Sequence, residues 1–306
     1  MANAATFILS QAGLSATPLL WAGFGELLAQ RAGVINVGIE GTMLAGAFAA
    51  YAAAIVAGNA SAAIPAAILA GVAVAILFAI ATVWFRADQI VAGTAINILV
   101  AGATTTALSF LDTYTRTHPV PEMYEPLGAS RVGWLPSSLA TIFSQYALFY
   151  WAIPVAAAIF FIMTFTRGGL VIRSLGDAPD ACNAAGISVR GWRTALILFA
   201  GALAGLAGAY LSTMRNHSYQ INMTSGRGFL VLALVIFGRW NLLGFIAGTV
   251  AFSLLDGLRA WLLSSNSAGI YSHALEMLPY AATLVALAFL GRARVGPIYL
   301  GRAWPE

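Results

Sequence analysis

Residues 31–46 read RAGVINVGIEGTMLAG. Apolar sequence precedes this stretch and continues beyond it. Within it stand an asparagine, a glutamate and four glycines, at Gly33, Gly38, Gly41 and Gly46. Each glycine weakens a helix by about 1 kcal/mol relative to alanine. A carboxylate at the centre of a membrane helix costs roughly 2.5–3.5 kcal/mol. Such a stretch therefore predicts either a broken helix or very close helix packing. Backbone groups freed by a break in a bilayer must be buried in protein or face a water-filled cavity. Asn36 and Glu40 are four apart and share a face if the helix continues through them. Two roles follow for the pair: lining a path, or clamping the break without touching any solute.

Composition extends the same reading to the whole chain. Of 306 residues, 60% are hydrophobic and 8% charged, against about 45–50% and about 25% in soluble domains. Apolar runs fall at about 12–30, 33–57, 62–85, 90–111, 146–166, 193–213, 226–238, 243–263 and 274–291. The expected fold is an all-α polytopic transmembrane bundle, one domain over 1–306, with about nine spans (about 8–10) and one or more broken helices. A membrane β-barrel would alternate in segments of about ten residues. The run at 226–238 is too short to cross and predicts a half-helix or a re-entrant segment. Every one of the 15 basic residues is arginine. The opening MANAATFILSQ has no basic region ahead of an apolar core, and is not read as a cleaved signal peptide.

Arginine placement orients the chain. With 167–193 in the cytoplasm, Arg31, Arg86, Arg167, Arg173, Arg190, Arg193, Arg239, Arg292, Arg294 and Arg302 fall inside, while Arg116, Arg131, Arg215 and Arg227 fall outside. That bias follows the positive-inside rule. It puts the N-terminus outside, the C-terminus in the cytoplasm, and residues 112–145 in a polar external (periplasmic) loop. The internal loop 167–193 reads RGGLVIRSLGDAPDACNAAGISVRGWR. Pro179 suits the first turn of a short helix, with Asp177 or Ala178 near its cap, and Gly186 suits the stop. A short helix between basic flanks is what a docking element requires.

The remaining polar residues give less. Asn97 lies in a span with Thr94 and Thr104–Thr106, where interhelical hydrogen bonds or a place on the path both account for it. GALAGLAG at 201–208 has the small-residue spacing of close helix packing. Asp256 can pair with Arg259, three residues on. The single cysteine, Cys182, and the dispersed His118, His217 and His273 give no metal-ligand spacing. There is no phosphate loop, and with no lysine none of the G-x-x-x-x-G-K type is possible. No hydrolase or metalloprotease motif is found, and the modest charge of +4 carries no nucleic-acid signal.

RAGVINVGIEGTMLAGAFAA resembles the N-terminal signature of bacterial ABC-importer permeases for nucleosides and simple sugars, within the wider branched-chain amino acid, ribose and galactose permease superfamily. Arg31, Gly33, Asn36, Gly38, Glu40, Gly41 and Met43 match it; Gln30 stands where glutamate is usual. RSLGDAPDACNAAGISV is similar to the coupling loop of that family. Arg173, Gly176, Pro179, Ala181, Gly186 and Ile187 match, while Asp177, Ala178 and Cys182 replace the usual Glu, Asn and Ala. GTAINIL (93–99) and FGRWNLLG (237–244) also look like family segments.

The resemblance implies a non-catalytic permease subunit of the bacterial inner membrane. It implies three partners: a second homologous permease (a heterodimer), a cytoplasmic two-cassette ATPase, and a periplasmic or lipoprotein substrate-binding protein. ATP would be used by the ATPase, with no cofactor on this chain. Asn36, Gly38, Glu40, Gly41 and Asn97 become candidates for the translocation path or the helix break. Arg173, Gly176, Asp177, Pro179 and Gly186 become candidates for ATPase coupling. The rival is an ion-coupled secondary transporter, which also uses broken helices and intramembrane acids. Against it stand the long internal loop and the lack of a clear internal repeat.

Overall fold

The computed structural model describes residues 4–115, 121–127, 143–264 and 296–304. Among the described residues every regular element is helical: α1 (Ala4–Arg31), α2 (Ile39–Ala57), α3 (Ala63–Ala79), α4 (Gln89–Thr115), α5 (Ala147–Phe165), α6 (Arg167–Asp177), α7 (Pro179–Ala184), α8 (Val189–Ala209), α9 (Arg227–Phe237) and α10 (Leu242–Ser264). Two helices widen into π geometry at their ends, α3 over Ile80–Trp84 and α8 over Tyr210–Arg215. Among the described residues seven helices are long and apolar enough to cross a membrane. The expected span at 274–291 and most of the 112–145 loop lie outside the described residues, as do Arg116, Arg131, Arg292 and Arg294.

Several boundaries differ from the apolar runs. α1 begins at Ala4 rather than near residue 12, because Ser10, Gln11 and Gly13 dilute hydropathy without breaking the helix. The run at 33–57 is helical only from Ile39. The 167–193 segment is not one loop: it holds α6, α7 and the first turn of α8, so Arg193 sits inside a helix.

α8 is the hub of the bundle, packed on α1, α2 and α3. Its glycine stripe explains the closeness. A methyl on Gly205 would meet Ala67 O at 2.2 Å, and one on Gly208 would meet Met43 O at 2.0 Å. Without a hydrophobic drive between helices in lipid, backbone approach of this kind supplies the packing. The outer helices turn bulky residues outward, with Trp151, Phe160, Phe161 and Phe165 exposed on α5 and Leu69, Leu77 and Trp84 exposed on the α3 arm. Such faces suit hydrocarbon and not water.

The hydrogen bonds also fix which ends lie together. The last turn of α1, the start of α4, α6, the first turn of α8, the end of α9 and the tail 296–304 gather at one end of the bundle. Ala4 lies at the other end, because α1 runs the length of the bundle between them.

Candidate functional site

The helix break after Arg31 spans 32–38. Gly33 takes φ +90° there, a left-handed conformation open to glycine at little cost. The break is held by two side chains of α4. Gln89 Oε1 accepts from Ile35 N at 2.8 Å. Asn97, about 12 Å along α4 from Gln89, uses both halves of its amide: Nδ2 donates to Val37 O at 3.0 Å, and Oδ1 accepts from Gly41 N at 2.7 Å. An asparagine thus supplies the donor and the acceptor that an interrupted helix lacks. Gly38 and Gly93 bring the two backbones together, and a methyl on Gly93 would lie 2.5 Å from Gly38 N.

Glu40 stands in the first turn of α2, 7% exposed. Its partners come from far along the chain. Oε1 accepts from Gly226 N at 2.8 Å and Oε2 from Gly228 N at 2.6 Å. These are the first free amides of α9, whose cap Gly226 is left-handed at φ +79° and brings no capping side chain. The 11 residues of α9 reach only about 16 Å, and at its N-terminus Gly228 is buried while Gly226 and Arg227 are half-buried. A helix end there needs partners for its amides and a negative charge for its dipole. Glu40 serves both needs, and its place in the first turn of α2 sets the same charge at the N-terminus of its own helix. A methyl on Gly228 would sit 2.6 Å from Glu40 N and Cα, so the two half-helices meet backbone to backbone.

Asn36 departs from the expected arrangement. It lies in the break and not on α2, so it shares no helix face with Glu40. Its backbone N donates to Glu26 Oε1 at 3.2 Å, while its own side-chain oxygen is buried without a partner among the described residues. The sequence candidates Asn36, Gly38, Glu40, Gly41 and Asn97 therefore do come together, but the clamp is Asn97 and Glu40. Asn36 contributes backbone. Glu26 is fully buried and also accepts from Gln30 Nε2 at 3.0 Å.

The second group lies on α6 and α7, part of it exposed and part of it packed beneath. α6 is capped by Thr166 Oγ1, which accepts from Gly169 N. Ala178, and not Asp177, caps α7, which opens on Pro179 and closes at Gly186 with φ +78°. Arg173, Asp177 and Asp180 are exposed, while Pro179 and Cys182 are buried beneath them. Burial pushes the Cys182 thiol above its ordinary range. Gly176 is buried because Arg31 O and Pro297 lie against it, where a methyl would meet them at 2.2 and 2.9 Å.

Several residues here were not singled out from the sequence. Trp240 Nε1 donates to Gln30 Oε1 at 2.8 Å, and Arg31 Nε donates to Trp240 O at 2.5 Å. Arg193 is buried at 3% exposure among three carbonyls. Gly226 and Gly228 directly precede a short apolar run, a signal that could have marked a half-helix start. Arg193 gave only the common signal of a basic flank. Asp256 takes Arg259 Nη1 at 2.9 Å and Ser15 Oγ at 2.5 Å, away from either group. Among the described residues no cluster of His, Cys, Asp and Glu could hold a metal.

Comparison with known proteins adds the family. The family model described as branched-chain amino acid transport system / permease component matches residues 8–290. The nucleoside ABC transporter permease protein NupC of Lactococcus lactis is 32% identical over 95% of this chain and 94% of its own. The guanosine ABC transporter permease protein NupQ of Bacillus subtilis is 32% identical over 91% and 90%. A putative glucose ABC transporter permease protein, TsgC13 of Haloferax volcanii, is 32% identical over 80% and 74%. No solved structure matches.

Proposed function

The chain belongs to the family of permease components of branched-chain amino acid transport systems, and from that premise we propose that it is one membrane-spanning half of an ATP-driven importer that carries nucleosides inward. The observation that carries the substrate class is the pair of relatives named for nucleosides and guanosine, each aligned over nine-tenths or more of both chains. The relative named for glucose covers less of either chain, which makes a simple sugar the second candidate. Family members are transport components, and the chemistry of ATP is assigned to a separate two-cassette ATPase. A second, homologous permease completes the path, and an external binding protein delivers the solute.

The proposed mechanism is an exchange of packing between two states. ATP binding in the ATPase favours one arrangement of the coupling element 174–187, because a ligand shifts an equilibrium only by its differential affinity. Arg173 and Asp177, both exposed, are the proposed polar contacts, while Gly176, Pro179 and Gly186 shape the element. The broken helices supply the moving parts. Half-helices whose ends are held by side chains can re-pack without exposing backbone to lipid. In this reading the coupling element faces the cytoplasm of a bacterium, and the N-terminus of α1 faces outward across the inner membrane.

The test is affinity purification from native membranes in mild detergent, followed by uptake in proteoliposomes rebuilt with the recovered partners. Recovery of an ATPase and a second permease, with ATP-dependent uptake of radiolabelled guanosine or adenosine and none of glucose, is the expected result. Uptake that ignores ATP and collapses with the ion gradient would replace this reading with the ion-coupled transporter.

A further inference from the structure

Arg193 has no part in the mechanism above, yet it joins four separate segments. It sits in the first turn and a half of α8. Nε donates to Ala32 O at 3.0 Å, Nη2 to Leu175 O at 3.4 Å, and Nη1 to Arg302 O at 3.1 Å. Ala32 opens the helix break, Leu175 lies in the last turn of α6, and Arg302 belongs to the tail. Two of these carbonyls are at helix C-terminal ends, where a cation offsets the negative end of the dipole. The planar guanidinium reaches all three at once, which a lysine ammonium on a flexible stem cannot reproduce.

The tail completes the connection. Tyr299 N donates to Gly176 O at 2.8 Å, and Gly301 N donates to Gly33 O at 3.0 Å. Trp304 Nε1 donates to Asp180 Oδ1 at 3.0 Å. The tail thus bonds the last turn of α6, then the break, then α7. The break and the coupling element are linked twice, by a buried cation and by a backbone strap.

We propose that Arg193 is the positioning residue through which movement of the 167–187 element reaches the break at 32–38, with the tail 296–304 as the strap that keeps the two in step. The inference rests on the importer reading, and its experiment separates the two. Displacement of α6 pulls the Leu175 carbonyl and, through Arg193, the Ala32 carbonyl, so the break cannot keep its place while α6 moves.

The experiment uses the full chain in its purified complex, with ATP hydrolysis and solute uptake measured in one preparation. Arg193→Lys keeps the charge and loses the fork. The expected result is a complex that assembles and hydrolyses ATP near the wild-type rate, with uptake per ATP reduced about tenfold. Two reporter cysteines in a Cys182→Ser background locate the fault. Ala185→Cys reports the coupling element and Ile35→Cys reports the break. In Arg193→Lys, ATP still changes maleimide labelling at position 185 but no longer at position 35. Tyr299→Pro removes the tail amide that Gly176 O accepts, and is expected to loosen coupling in the same direction. That variant decides the matter if Arg193→Lys fails to assemble. Wild-type uptake per ATP in either assembled variant overturns the proposal. A wild-type complex without ATP-driven uptake overturns the importer reading instead.

Discussion

Glu40 and Arg193 do opposite electrostatic work at two levels of the same bundle. Glu40 is an anion set against two helix N-termini, its own α2 and the distant α9. Arg193 is a cation set against two helix C-terminal ends, those of α1 and α6. Each replaces partners that water would give an exposed helix end. The difference lies in their surroundings. Glu40 meets the Gly228 and Gly226 amides at 2.6 and 2.8 Å, against a close backbone contact at Gly228. Arg193 meets carbonyls at 3.0–3.4 Å, one of them in the C-terminal tail. The tight anionic clamp suits a fixed joint, and the looser cationic one suits a joint that transmits movement.

That contrast is broken most directly at Glu40. Glu40→Ala strands the buried Gly228 amide and the half-buried Gly226 amide and leaves the α9 dipole unanswered, at a cost of about 2–3 kcal/mol. The protein should lose solute uptake and unfold in detergent several degrees below wild type. Glu40→Gln keeps one acceptor and should lose about half as much stability. Thermal unfolding of both, set beside Arg193→Lys, orders the two joints. If Glu40→Ala matches wild type in stability and uptake, the fixed-joint reading is wrong.

The next effect in size belongs to the glycine contact beneath that clamp. Gly228→Ala drives a methyl to 2.6 Å from the Glu40 backbone, an overpacking that costs about 1–3 kcal/mol. Gly102→Ala on α4 is the control, because open space surrounds that position. Helix propensity alone should leave it neutral or slightly stabilised. Equal losses at both sites would mean that the half-helices are not packed backbone to backbone.

Asn97 sharpens the comparison by splitting donor from acceptor. Asn97→Asp keeps the oxygen for Gly41 N but cannot donate to Val37 O, and Asn97→Leu loses both bonds. Leu should cost about 1–2 kcal/mol, and Asp at least as much, because a carboxylate oxygen then faces the Val37 carbonyl that Nδ2 now reaches at 3.0 Å. The readout is melting temperature together with maleimide access to Ile35→Cys, which should rise as the break loosens. An unchanged labelling rate in Asn97→Leu would remove Asn97 from the clamp.

How far the sequence carried differs between the two joints for a physical reason. A glutamate and an asparagine among apolar residues are costly unless partnered, so RAGVINVGIEGTMLAG predicts a broken helix or close packing, with the pair lining a path or clamping the break. It did not announce the partners, because Gly226 and Gly228 lie 186 and 188 residues away. Arg193 was read only as a topological marker, since an arginine at a membrane face looks alike whether it meets water or three carbonyls. α6 was missed as a helix because RGGLVIRSLGD carries no long apolar run and two early glycines. The short α9 was legible by length alone, and the α7 start and stop by Pro179 and Gly186. The π turns at Ile80–Trp84 and Tyr210–Arg215 left no trace in composition.

The smallest effect is expected at Cys182 in α7. Its side chain is buried beneath α7 and its thiol is pushed above the ordinary range by that burial. The thiolate, which is the reactive species, is therefore scarcer in the folded protein than in a free cysteine at the same pH. Maleimide labelling should be slow at neutral pH and climb as pH rises past the ordinary thiol range. Adding denaturant should abolish the difference from a free thiol. Cys182→Ala, which removes a small buried group and no hydrogen bond that shapes α7, should cost about 1 kcal/mol and leave uptake near wild type. Because this is the chain's single cysteine, the labelling rate also reports the coupling element without any substitution. A rate that rises with ATP in the wild-type complex and stays silent in the absence of the ATPase would show that α7 lifts when the partner engages, which is the motion that Arg193 is placed to pass on.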